Sequence, residues 1–146
     1  MKKFLLILAA ALALCSCGLR SEDWEKEFSG TWDLTGIATL NWNTIEKMSN
    51  FKLAKYIDDN VTPDINDMTL VFGQGRISFE SDGESVYGRY TVDNDGTVQV
   101  SWEDDSGDVY WMYVEGRTLY MVEFGVDDNG DLESYQTALK FQRISQ

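Results

Sequence analysis

Apolar residues keep a two-residue beat along most of the chain, clearest at residues 30–42, where Trp32, Leu34, Ala38, Leu40 and Trp42 share a parity with Gly36 among them. That is the pattern of a strand with one buried face. Residues 135–144 repeat it in Tyr135, Leu139, Phe141 and Arg143. Antiparallel pairing of the two segments sets Trp32 beside Arg143 and Leu34 beside Phe141. The first strand then meets the last, and the sheet closes on itself.

Between these ends the alternating segments are punctuated by turn residues. A two-residue loop at Gln74-Gly75 brings Leu70 opposite Phe79 and Phe72 opposite Ile77, and a three-residue loop at Asn94-Asp95-Gly96 pairs Val92 with Val98 and Tyr90 with Val100. Around Glu115-Gly116-Arg117, one face carries Val109, Trp111, Tyr113, Tyr120, Val122 and Phe124; the other carries Tyr110, Met112, Val114, Leu119, Met121 and Glu123. The uncharged set is expected to point inward. One stretch breaks the beat: Ile45, Met48, Phe51, Ala54, Ile57 and Val61 recur at helical spacing, which predicts a helix over residues 43–59 ending before Thr62-Pro63. The expected fold is all-β, an eight-stranded antiparallel up-and-down barrel with one helix in the loop after the first strand.

At 146 residues the chain has room for one such domain. Its start reads differently. Lys2 and Lys3 precede an apolar run over residues 4–14, too short to span a bilayer, and then comes Leu14-Cys15-Ser16-Cys17. This order matches the bacterial lipoprotein signal, which implies cleavage before Cys17 and lipid on Cys17; an ordinary secretory peptide carrying two Cys is the alternative. The expected division is a signal peptide at 1–16, a lipidated tether at 17–29 and a barrel domain at 30–146. Both Cys fall in the first segment or at its boundary, so the barrel has no disulfide. Without Lys2 and Lys3, 10 basic residues face 25 acidic ones, a net charge of −15. Such a balance excludes nucleic acid as a partner. Membrane contact is assigned to the acyl chains on Cys17.

Gly30-Thr31-Trp32 at the start of the first strand and Arg143 in the last, on a simple succession of eight strands, resemble the lipocalins over residues 29–144. The closer resemblance is to bacterial, Bacteroidota-type lipocalin-like lipoproteins with a calycin-like barrel. It implies that Arg143 lies over Trp32 at the closed end, a cation–π contact of about 0.5 to 2 kcal/mol. The middle lipocalin motif is not recognisable. Lipocalins usually carry a helix after the eighth strand that packs outside the barrel, and none follows here. Tyr110, Met112, Val114, Leu119 and Met121 are then left as an outer apolar patch, covered by the 43–59 helix or by a protein partner. Ser21-Glu22-Asp23 resembles a Bacteroidota surface-export signal and equally a solvated linker, so the expected location is the cell envelope, on the outer membrane, periplasmic or surface-exposed.

Entry at the closed end puts the loops after strands one, three, five and seven at the mouth, and with them most of the acidic residues. Such a rim favours neutral or cationic ligands over anions, and equally it keeps an exported protein soluble. Leu40, Trp42, Leu70, Phe79, Val100, Trp102, Trp111 and Phe124 are expected inside the mouth-side half, where they either line a small apolar ligand or fill the space. The 43–59 helix is either a lid over that mouth or packing on the wall. The chain has no His, which removes histidine bases, Ser-His-Asp triads and His-based metal sites. No motif singles out paired carboxylates, and no enzyme activity is expected. Asp127, Asn129, Asp131 and Glu133 alternate as calcium ligands do, but no Gly stands sixth from Asp127, and no metal or cofactor is implied. Gly73-Gln74-Gly75 joins two strands and precedes no helix, so it is a hairpin and not a phosphate loop. Two functions follow: a lipid-anchored barrel that binds a small apolar or amphipathic ligand, or a filled barrel that docks a protein partner through its outer patch or acidic rim.

Overall fold

Strand β1 (Gly30–Asn41) has a partner on each side, and this is what closes the sheet. The computed structural model describes residues 21–63, 67–93 and 97–145. The leader, Cys17 and the Asn94-Asp95-Gly96 turn lie outside the described residues. On one side β1 pairs with β3 (Met68–Gly73), on the other with β9 (Tyr135–Ser145), where Trp32 faces Arg143 and Leu34 faces Phe141 as the alternation requires. From β3 the chain runs through β4 (Arg76–Ser81), β5 (Glu84–Val92), β6 (Thr97–Trp102), β7 (Gly107–Glu115) and β8 (Thr118–Glu123), each antiparallel to the next. These eight strands form the up-and-down barrel. A two-residue strand, β2 (Thr62–Pro63), pairs with Gly36 and Ile37. Two hairpin registers are the expected ones, with Leu70 opposite Phe79 and Tyr90 opposite Val100, and in the β7–β8 hairpin Trp111 lies opposite Val122 on the face they were expected to share.

Two features reverse which side chains point inward. The first is a bulge in β1 between Leu34 and Gly36. One extra residue flips the parity: Trp32 and Leu34 face the barrel interior, whereas Ala38, Leu40 and Trp42 join a second core outside it. Glycine is required at the bulge, because a Cβ on Gly36 would run into Val61. The second is the facing of β7 and β8. Tyr110, Met112, Leu119 and Met121 belong to the inner core, and Trp111, Tyr120, Val122 and Phe124 to the outer one. The patch assigned above to a protein partner is therefore not a surface: Met112 and Leu119 are fully buried, and Val114 packs against the same inner core. The physical reason is that both faces of this hairpin are apolar because both are covered.

The cover is helical. The periodic stretch splits into α2 (Trp42–Ile45) and α3 (Asn50–Asn60), with the Ser49 hydroxyl accepting from the Lys52 amide at 3.3 Å as the cap of α3. Helix α3 lays Leu53, Ala54 and Ile57 on the outer wall. The Trp111 indole donates to Asn50 at 2.9 Å, the Tyr120 hydroxyl donates to Asp58 at 3.0 Å, and Lys140 pairs with Asp58 at 2.7 Å. The helix is wall packing, not a lid.

The N-terminal stretch expected as a solvated tether contains a further helix, α1 (Ser21–Phe28). Trp24 and Phe28, one turn apart, stack at 5.7 Å and plug the closed end, Phe28 lying 5.6 Å from the Phe72 ring. Two groups at the junction satisfy the open carbonyls at the end of α1: the Trp32 indole donates to the Phe28 carbonyl at 2.8 Å, and Arg143 donates to that of Glu27. The Arg143 guanidinium also sits 4.3 Å from the Trp32 ring. Phe28→Ala is expected to cost about 3 to 5 kcal/mol in a urea titration; a tether residue would leave the midpoint where it was.

Candidate ligand-binding site

The barrel interior is filled in its closed half and open in its mouth-side half. Below, Phe72 and Tyr90 meet edge to face at 5.0 Å, and the Tyr90 hydroxyl is pushed up to about 12, first by burial and then by the charge of Glu25. Above, a cavity of about 260 Å³ is bounded by Met68, Phe79, Val86, Met121 and Leu139 on its apolar sides, and by Trp102, Tyr110 and Glu123. Val86 lies on the inner face of β5 opposite Phe79 yet is 52% exposed, so apolar surface stands open at the mouth. Phe79 is tilted against Trp102 at 5.5 Å. Trp102 packs tightly over Gly88, where a Cβ would come within 2.8 Å of the indole.

The polar groups of the cavity are grouped on β6, β7 and β8. The Trp102 indole donates to the Asp108 carboxylate at 2.6 Å, and the Tyr110 hydroxyl approaches the same oxygen at 3.4 Å. Asp108 and Tyr110, two residues apart, share the inner face, and Glu123 stands directly across from Tyr110. Tyr110 is held well above the usual phenol range by burial and then by the charges of Asp108 and Glu123, so it stays protonated and able to donate. Glu123 is raised above the ordinary carboxylate range, by desolvation first and the Asp108 charge second.

Four of the eight residues expected in the barrel are there: Leu70, Phe79, Val100 and Trp102. Phe79 and Trp102 line the cavity, while Leu70 and Val100 are buried in the packed part. The other four are outside. Leu40 and Trp42 are carried out by the bulge; Trp111 and Phe124 are on the outer face of the β7–β8 hairpin, with Phe124 edge-on to Trp42 at 5.5 Å. Reading that hairpin by charge alone hid Tyr110, Met121 and Glu123. Gly88 in the middle of β5 was the available signal, since a strand glycine opposite Trp102 marks where a large ring lies against backbone.

The loops joining β4 to β5, β6 to β7 and β8 to β9 gather at the mouth. Asp104 there is held below its usual range by the hydroxyl and then the amide of Ser106. In the last loop the Asp127 carboxylate accepts from the amides of Asn129 and Asp131 and shapes a turn around Gly130. Asp58 is not part of this rim, because α3 carries it down the wall to Lys140.

No family model and no curated protein sequence matches the chain. Solved structures do. The chain is similar to a mutant of LTBP1 in complex with leukotriene C4, at a TM-score of 0.50 and 13% identity over 91% of this chain and 76% of that one. The fold is lipocalin-like. Bovine odorant binding protein with a selenium-containing odorant gives a TM-score of 0.45 at 21% identity, covering 82% of this chain and 72% of that one. A Schistosoma mansoni fatty acid binding protein in complex with arachidonic acid gives 0.46 at 12% identity, covering 83% and 98%.

A carboxyl whose folded-state pKa is raised binds a proton the unfolded chain has already lost. Stability therefore falls as pH rises from the ordinary carboxylate range to the raised value of Glu123. Glu123→Gln is expected to remove this fall and raise the melting temperature at pH 7 by about 1 to 3 °C, read from melts taken across the acid range.

Proposed function

We propose that the protein is a non-enzymatic carrier or sensor that holds a small apolar or amphipathic molecule in the mouth-side half of its barrel. The observation that carries this reading is the cavity itself: about 260 Å³ of space walled by Met68, Phe79, Met121 and Leu139, with a few polar groups at one end. Its volume is a little under the range of about 300 to 1,000 Å³ usual for ligand pockets, which favours a small ligand or one whose end protrudes past Val86. The complex of LTBP1 with leukotriene C4 is an example of a similar fold serving as a binding protein.

The second part of the proposal is an anchor. Cys17 is read as the lipidated N-terminus of an outer-membrane lipoprotein, periplasmic or surface-exposed. The position of α1 supports it, since the chain enters at the closed end and an anchor there leaves the mouth unobstructed. Cys17→Ala is expected to abolish incorporation of labelled palmitate into the protein in cells; undiminished labelling would overturn the anchor.

N-phenyl-1-naphthylamine, an uncharged fluorophore at neutral pH, is expected to bind at one site with enhanced emission. Met121→Trp, which fills the cavity, should weaken it at least about tenfold, or 1.4 kcal/mol. Equal binding by this variant, if it melts as the wild type does, would overturn the cavity as the site.

A further inference from the structure

The cavity has an uncommon polar end for an apolar pocket: one carboxylate, Glu123, lines it, a second, Asp108, stands at its edge against the lining residues Trp102 and Tyr110, and no cation lines it. Asp108 is oriented by the Trp102 indole and approached by the Tyr110 hydroxyl. Glu123, on the inner face of the neighbouring strand, makes no hydrogen bond or ion pair among the described residues. None of the residues bounding the cavity is Lys or Arg. Lys140, close by in sequence to Leu139, faces the outer wall and is engaged by Asp58.

We propose that the cavity selects amines: amphipathic ligands with a protonated nitrogen, held by Asp108 and Glu123 at the mouth while an apolar tail lies against Phe79, Met121 and Leu139. This deepens the binding function proposed above and rests on it. An ammonium group offers only donors, and here the pocket's open positions are acceptors. It also relieves the repulsion between two like charges that share one face of the barrel. A carboxylate ligand of the same length would bring a third negative charge to the same place with no cation to meet it. The surrounding loops, with Asp104, Asp105, Asp127 and Asp128, extend that field outward and concentrate cations at the entrance. Glu123 is raised first by burial and then by the Asp108 charge, and a cation between the two carboxylates offsets the second of these.

Octylamine, octanol and octanoate share one tail and differ in charge, so calorimetric titration of the protein with each at pH 7 and low salt separates the contributions. Octylamine is expected to bind about five- to tenfold tighter than octanol, with octanoate the weakest of the three. Glu123→Gln combined with Asp108→Asn should reduce the octylamine affinity to that of octanol, while Glu115→Gln, at the far end of the β7–β8 hairpin, keeps the order. Octanoate binding as tightly as octylamine, or the same order in the double variant, overturns the amine preference alone. Binding of none of the three overturns the ligand-binding reading as well.

Discussion

The barrel depends on one junction, where Trp32 is held between the end of α1 and Arg143. The indole nitrogen serves the Phe28 carbonyl, the ring carries the guanidinium, and the guanidinium reaches the Glu27 carbonyl. Each contact alone is modest, of the order of 1 kcal/mol. Their value lies in what they join: the first helix, the first strand and the last strand, which the chain cannot bring together until nearly all of it is in place. Closing a sheet over such a sequence distance is entropically costly and slow, so a dense, well-satisfied knot at the seam is where selection of one register matters most. Arg117 adds to it, its backbone carbonyl accepting from the Arg143 amide at 2.8 Å.

Above that seam the molecule has two cores separated by one sheet. The inner core fills the closed half of the barrel; the outer one is sealed by α3 against β1, β7, β8 and β9. Strand β1 serves both, because the bulge before Gly36 turns its first half inward and its second half outward. Tyr113 packs against both cores. The covered wall must be apolar on both sides, whereas β5 near the mouth, with solvent on one side and the cavity on the other, is exposed over residues 84–87. The cavity is located where the wall is thinnest in cover and the interior side chains run out.

Register was legible in the sequence because turn chemistry and parity fix it locally: Gln74-Gly75 sets Leu70 against Phe79, and parity alone sets Trp32 against Arg143. Facing was not. On β7 and β8 the two sides differ by little more than Asp108 and Glu123, and carboxylates are tolerated on the inner face when they sit at the mouth within reach of water. The bulge was hidden for a similar reason, since Gly36 keeps the alternation unbroken to the eye while an extra residue shifts it in space. The helical period at residues 45–61 was clear, but which wall its stripe would meet depended on facing, and the acidic run around Trp24 and Phe28 masked two aromatic residues spaced to fill a hole.

With α3 spent as cladding, the longest of the described helices is committed elsewhere. Nothing among the described elements has to swing aside before a molecule enters or departs. Exchange of the proposed ligand would then be paced by diffusion and by the time an apolar tail takes to leave its neighbours, with no conformational gate among the described elements in series. For the ligand proposed above, occupancy would follow the surrounding concentration closely in both directions, which suits a buffer or a sampler better than a vault.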